Sequence, residues 1–192
     1  VRLLTEASRS SYTTEAADIV RRMAGATVFM GVPTHYARLL AEPGLGAAAA
    51  SMRLFVSGSA PLPADIWTAF RRETGHEILE RYGMTETVMM TSNPLAGARI
   101  AGSAGKPLPG IALRIAAPDG TVLPQGEAGI VEVSGPNVFA GYWRAADKTA
   151  ASFRPDGYFI TGDLGMIDAR DYVHIVGRGK DLVITGGFNV YP

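Results

Sequence analysis

Between residues 13 and 82, helical stretches alternate with short apolar strands, and this alternation constrains the fold more than any other feature of the chain. Thr13–Met23 predicts a helix with Thr13 or Thr14 as N-cap and Ala17, Val20 and Ala24 on one face. The continuous apolar run Ala26–Met30 fits a strand buried on both sides. Pro33 opens a second helix running through Leu40, since proline fits the first helical turn. A Gly/Ala-rich stretch, Glu42–Ser51, reads as loop with weak helix, and Arg53–Ser57 as another strand. Next come Gly58-Ser59-Ala60-Pro61-Leu62-Pro63 and a helix reaching about Thr74, with Ile66, Trp67 and Phe70 apolar. Such alternation implies an α/β fold with a mainly parallel sheet and flanking helices over about 1–109.

From about Gly110 the pattern changes. Ile111–Ile115 and Gly129–Val133 read as strands, with a hairpin turn signal at Pro118-Asp119-Gly120 between them. Turns at Pro155-Asp156-Gly157 and Asp168–Asp171 bracket strands at Tyr158–Thr161 and Tyr172–Val176. A mostly antiparallel β region over about 110–177 follows. The chain opens at Val1 without a methionine and stops just after the strand-like Leu182–Thr185, which reads as an internal piece of a longer protein.

Bulk properties remove several function classes. Lys plus Arg and Asp plus Glu both number 18, so no basic excess marks a nucleic-acid or membrane-surface binder. Without cysteine there is neither a disulfide framework nor a thiolate metal site. No apolar run is long enough to span a membrane, and no signal peptide is evident. A cytoplasmic location is the expectation.

Four polar segments carry the chemistry. Glu80-Arg81-Tyr82-Gly83-Met84-Thr85-Glu86-Thr87 places a phenol, a hydroxyl and a carboxylate close together, with Gly83 expected to permit a tight or positive-φ turn. A hydroxyl beside an acid suits a phosphate–Mg²⁺ pair, because Mg²⁺ is typically bound through one or two carboxylates plus substrate phosphates. Gly58-Ser59-Ala60 is expected at a helix start, where backbone amides face an anion or the edge of a base. Thr161-Gly162-Asp163 is expected as a loop whose acceptor-only Asp163 matches a pair of ribose hydroxyls. Gly177-Arg178-Gly179-Lys180-Asp181 is expected as a loop offering the fixed donors of Arg178, and also as a hinge.

Taken together and in this order, GSAPLP, YGMTE, GYW (Gly141–Trp143), TGD and GRGKD followed by ITGGFNVYP resemble the adenylate-forming superfamily. That superfamily includes acyl-CoA synthetases, luciferases and peptide-synthetase adenylation domains. The resemblance covers nearly the whole chain and implies ATP, Mg²⁺ and coenzyme A as its small-molecule partners. It implies that residues 1–177 are part of the large N-terminal domain, and 178–192 the hinge and first segment of a C-terminal lid. By the same resemblance Gly58, Ser59 and Ala60 lie against adenine, with Tyr82 stacked on it. Gly83, Met84 and Thr85 belong to the nucleotide loop, Thr85 bonds the α-phosphate and Glu86 holds Mg²⁺. Asp163 and Arg178 take the ribose, Lys180 is the hinge, and Gly186 and Gly187 border the coenzyme A channel.

Arg81 points to the acid. Many members of the family carry a small residue there, so an arginine implies a shorter acyl pocket with a bidentate clamp for a second carboxylate. Ser59 and His35, placed on that pocket by the resemblance, add donors. The pattern looks most like malonyl-CoA synthetases, implying malonate as the acid, with methylmalonate as an alternative. Three other readings stay open: a CoA ligase for another short, aryl or fatty acid; a luciferase-like oxidative enzyme, which nothing in the sequence favours; and a non-catalytic nucleotide-binding module. The resemblance also implies a phosphate loop upstream of Val1 and an adenylation lysine downstream of Pro192. The 192-residue chain alone is therefore expected to show only background ATP–pyrophosphate exchange, and exchange above background would refute this.

Overall fold

The computed structural model describes residues 3–5, 15–179, 183–185 and 188–190. Contacts divide the chain into two units, Val1–Tyr82 with Asn93–Ser103, and Gly83–Ser92 with Ala104–Pro192.

In the first unit the order is β1 (Leu3–Thr5), α1 (Ala16–Met23), β2 (Val28–Gly31), α2 (Pro33–Leu39), α3 (Leu45–Ala49), β3 (Leu54–Ser57), α4 (Ala64–Thr74) and β4 (Leu79–Met84), the last crossing into the second unit at Gly83. The four strands run parallel, each paired with the next in sequence, as the alternating pattern requires. Helix α1 buries Ala16 and Met23 with Ile19 and Val20 packed beside them, rather than the Ala17–Val20–Ala24 face expected from sequence. The spacing i, i+3, i+4, i+7 makes that stripe continuous on a 3.6-residue helix. Its N-cap is Glu15, and the expected caps Thr13 and Thr14 lie outside the described residues. Helix α4 stops at Gly75, whose left-handed φ of +74° lets its N–H reach the Arg71 carbonyl at 2.8 Å. Between helices and sheet, Tyr36, Phe55 and Phe70 are fully buried, with edge-on ring contacts of 5.2 Å and 4.9 Å. Each buried aromatic contributes roughly 1.5–3 kcal/mol by leaving water. The polar tips that go in with them are satisfied: Tyr36 donates to the Val56 carbonyl at 2.7 Å and Trp67 to the Ile78 carbonyl at 2.9 Å.

The second unit contains β5 (Val88–Ser92) and its antiparallel partner β6 (Lys106–Pro107), then β7 (Ala112–Ala116), β8 (Gly129–Ser134), α5 (Ala146–Ala151), β9 (Phe159–Ile167) and β10 (Val173–Arg178). Strands β7–β10 form an antiparallel sheet ordered β10-β9-β8-β7. Two short strands, β11 (Val183–Thr185) and β12 (Phe188–Val190), pair antiparallel. β5 was not among the strands expected from sequence.

Three expected loops turn out differently. Thr161-Gly162-Asp163 lies inside β9, and Gly177-Arg178 inside β10. Each strand outruns its apolar stretch because the ladder supplies backbone hydrogen bonds whatever the side chains are. Gly162 takes φ +77° within its strand, and the β9–β10 register shifts between Ile175 and Gly177, so bulges do the aiming that loops were expected to do. The third correction concerns Gly58–Ala60: α4 begins only at Ala64, with Pro63 at its N-cap, so these amides do not sit at a helix start.

At the centre of β8, Glu132 is fully buried and accepts from two arginines, Arg114 Nε at 2.9 Å and Arg154 Nε at 2.7 Å. Arg114 also grips Asp156 through both terminal nitrogens and lies 3.8 Å over the Tyr158 ring. Removing one member of a buried ionic group strands its partners. Glu132→Leu is therefore expected to lower the unfolding free energy by about 3–5 kcal/mol, read from the urea midpoint. A shift under about 1 kcal/mol would mean the arginines re-solvate freely.

Candidate active site

The first unit presents its polar residues at the carboxyl ends of parallel strands, the usual ligand position in such sheets. Register aligns Gly31 with Ser57 and Ser57 with Glu80, making one row across β2, β3 and β4. The residues just beyond this row are Val32, Gly58 and Arg81. Ser59 follows, exposed and held at φ +69°, an uncommon left-handed conformation for a non-glycine residue. Ala60 beside it is also exposed.

Arg81 lies along Gly58. A Cβ built at Gly58 would stand in ordinary van der Waals contact with Arg81, 3.6 Å from Cγ and 3.7 Å from Nε, so the arginine side chain runs alongside this residue. Arg81 Nε is buried and makes no hydrogen bond among the described residues. Its neighbour Glu80 does not neutralise it. Successive side chains of a strand point to opposite faces, and Glu80 is buried, accepting the Leu62 N–H at 2.9 Å. Burial pushes the Glu80 carboxyl up to about 7, against a partial opposing pull from that amide. A surface ion pair with Glu80 is thus not what Arg81 is for. Glu80 Oε2 and Ser57 Oγ, register partners, are also buried without a hydrogen-bond partner among the described residues.

His35 sits in the first turn of α2, buried against Phe29, and its Nδ1 accepts the Val32 N–H at 3.1 Å. That bond fixes the tautomer: an acceptor Nδ1 leaves the ring proton on Nε2. Capping is therefore one role of His35. Tyr82 is half-buried at the end of this unit's chain segment.

In the second unit Gly83 and Met84 end β4, and Thr85-Glu86-Thr87 make the tight turn into β5. Gly83 is needed for close approach rather than for a positive φ: a Cβ there would overlap the Val88 carbonyl oxygen. The left-handed residue is Val88, at φ +53°. Met84 closes the turn by accepting the Thr87 N–H at 3.1 Å, and Thr85 at its tip is exposed. Glu86 accepts a hydrogen bond from the Tyr142 hydroxyl at 3.0 Å on Oε1. Asp163 and Arg178 are register partners on β9 and β10 and form an ion pair at 3.2 Å, Asp163 buried and Arg178 exposed. Asp163 is further held by its N–H donating to Thr161 Oγ1 at 3.1 Å. Lys180, Gly186 and Gly187 lie outside the described residues.

Tyr142 and Asn137 were given no role from sequence. Asn137 Nδ2 donates to the Thr87 carbonyl at 2.6 Å, and the Phe139 N–H to the Glu86 carbonyl at 2.8 Å. GYW stood out as a motif, but only tertiary contact pairs it with Glu86. Among the described residues no group of three or more His, Cys, Asp or Glu side chains forms a metal cage. Glu86 fits a different arrangement, one carboxylate completing a cation held mostly by substrate phosphates.

Residues 7–143 match the family model described as AMP-binding enzyme. The chain belongs to the AMP-binding enzyme family. It is 44% identical to a probable CoA ligase, CCL8, of Humulus lupulus over 85% of this chain and 29% of that protein. It is 42% identical to a malonate–CoA ligase of Arabidopsis thaliana, over 85% of this chain and 28% of that one. A crystal structure of ATP-bound MatB from Rhodopseudomonas palustris superposes with a TM-score of 0.89 at 60% identity, covering 92% of this chain and 36% of that one. The chain thus spans about a third of the length of the relatives it matches. Its α/β architecture is that of the N-terminal domain of adenylate-forming enzymes.

Glu80 gives this AMP-binding enzyme a measurable pH signature. A carboxyl at about 7 when folded, against an ordinary value of 4.5, binds its proton more tightly folded than unfolded. Its contribution is complete below the unfolded value and is lost as pH rises from about 4.5 through about 7. Wild type is expected to lose up to about 3 kcal/mol from this group across that window, and Glu80→Gln to lack that slope. Parallel stability–pH curves for the two would show that Glu80 ionises normally.

Proposed function

We propose that this chain is part of an AMP-forming acid–CoA ligase whose acid is malonate. The observation that carries the choice of acid is the Arg81 guanidinium laid along Gly58, with a buried Nε that no described residue satisfies. An unpaired guanidinium donor at the carboxyl edge of a parallel sheet calls for an anion, and its planar fork matches a carboxylate. Glu80, on the opposite face of β4 and bonded to the Leu62 N–H, does not compensate that charge.

In the proposed reaction one malonate carboxylate oxygen bonds to the α-phosphorus of ATP and pyrophosphate departs, leaving malonyl-AMP. The coenzyme A sulfur, having lost its proton, then bonds to the acyl carbon and AMP leaves. Arg81 holds the far carboxylate, with Ser59 and His35 beside it. Gly58, Ser59, Ala60 and Tyr82 take the adenine, and Asp163 with Arg178 the ribose. Gly83 and Met84 shape the turn that offers Thr85 to the α-phosphate. When bound through Glu86, Mg²⁺ draws charge from the phosphate oxygens. The protein's own share is mostly positioning and fixed charge, which suits side chains set on strands. Residues 1–177 are assigned to the large N-terminal domain. Residues 178–192 are assigned to the hinge at Lys180 and the start of the lid, with Gly186 and Gly187 along the coenzyme A channel. A cytoplasmic setting belongs to the same proposal, on the ground that ATP and coenzyme A are its substrates. No helix among the described residues is long and apolar enough to cross a membrane.

In the full-length protein, Arg81→Gly is expected to lower kcat/KM for malonate by about 100-fold while changing that for a short monocarboxylate much less. Pyrophosphate release across a panel of acids reads both. Equal losses on the two acids would remove the clamp and favour a ligase for another acid.

A further inference from the structure

Glu86 is held from one side only. Its Oε1 takes the Tyr142 hydroxyl, whereas Oε2 has no protein partner among the described residues. Tyr142 itself is restrained at every part. Its N–H donates to Thr149 Oγ1 at 2.9 Å, and that hydroxyl donates to the Ala145 carbonyl at 2.9 Å, closing the segment onto the start of α5. The preceding Gly141, at φ +145°, leaves no room for a side chain: a Cβ there would come within 2.6 Å of Thr149 Cγ2. One ring edge meets Phe139, 4.8 Å between centroids, and Lys148 Nζ lies 3.8 Å over the ring. Phe139 is fixed in turn by Phe153 and Phe159 and by its N–H bond to the Glu86 carbonyl. A ring needed only for packing would make these contacts without a hydroxyl, yet the hydroxyl is delivered to one oxygen of one carboxylate.

We infer that Tyr142 is a positioning residue for Glu86, turning Oε1 toward its phenol so that Oε2 is the oxygen offered to a divalent cation. The inference rests on the reading in which Glu86 holds Mg²⁺. A carboxylate with one oxygen already accepting a hydrogen bond binds a cation through the other, and Mg²⁺ tolerates little departure from octahedral geometry. Because no described cluster of acidic or histidine side chains supplies further ligands, the orientation of this single carboxylate carries unusual weight. Partners that orient a metal ligand commonly change metal affinity by about 10–100-fold when removed.

The test uses the full-length protein with Mn²⁺ as the spin-visible probe and ATP as the nucleotide. Tyr142→Phe is expected to weaken Mn²⁺ uptake in the presence of ATP by about 10-fold, with metal-free ATP binding and the urea midpoint as in wild type. Glu86→Gln should weaken uptake at least as much, and adding Tyr142→Phe to it should cause little further loss. If Glu86→Gln weakens uptake but Tyr142→Phe does not, or if Tyr142→Phe weakens ATP binding equally with and without metal, the positioning role is refuted while that of Glu86 stands. If Glu86→Gln leaves Mn²⁺ uptake unchanged, the assignment of Glu86 fails and this inference with it.

Discussion

The first unit's site depends on one hydrogen bond, the Leu62 N–H given to the buried Glu80 carboxyl at 2.9 Å. It ties the segment after β3 to β4 by its own backbone, so Gly58–Ala60 keeps its place although no helix begins there. Burying a carboxyl with a single amide partner favours its neutral form. Arg81, on the opposite face of β4, keeps a buried Nε that no described residue satisfies. The further buried atoms without partners, Glu80 Oε2 and Ser57 Oγ, mark the same row of the sheet as the place where this unit tolerates unsatisfied polarity. Such groups are uncommon in native interiors and ask for a reason.

The second unit solves its positioning problem by cross-strand pairing and aromatic packing. Asp163 and Arg178 stand 15 residues apart in sequence but are register partners, so their ion pair follows from the ladder. Glu86 is reached by residues 50 or more positions downstream, through the Phe139 backbone and the Tyr142 hydroxyl. Buried Glu132 with Arg114 and Arg154 fixes where β7, β8 and the segment before β9 lie against one another. Local pairing of this kind allows strand residues rather than loops to carry function, and strands hold side chains more exactly placed than loops do.

Much of the architecture was legible. Pro33 located α2, and the apolar runs at 26–30 and 53–57 became β2 and β3, shifted by a residue or two. Misreadings have identifiable causes. α1 buries Ala16, not Ala17, because a helix whose caps are ambiguous can be rotated by one residue without breaking its periodic pattern. TGD and GRGKD were taken for loops because glycine and charge usually interrupt strands, yet glycine bulges keep β9 and β10 paired. Gly83 was assigned a turn conformation when its need is room beside Val88, a contact invisible until the hairpin closes.

The sequence by itself determined the alternation of helix and strand from α1 to α4 and the change from parallel to antiparallel pairing, since these follow from periodicity and residue type over short spans. The tertiary structure alone decided which side chains meet. It put Arg81 along Gly58, Tyr142 on Glu86 and two arginines on Glu132, and left Arg81 Nε without a partner among the described residues. Partnership of that sort depends on register and strand order across tens of residues, and on what water is excluded from, neither of which is written in local composition.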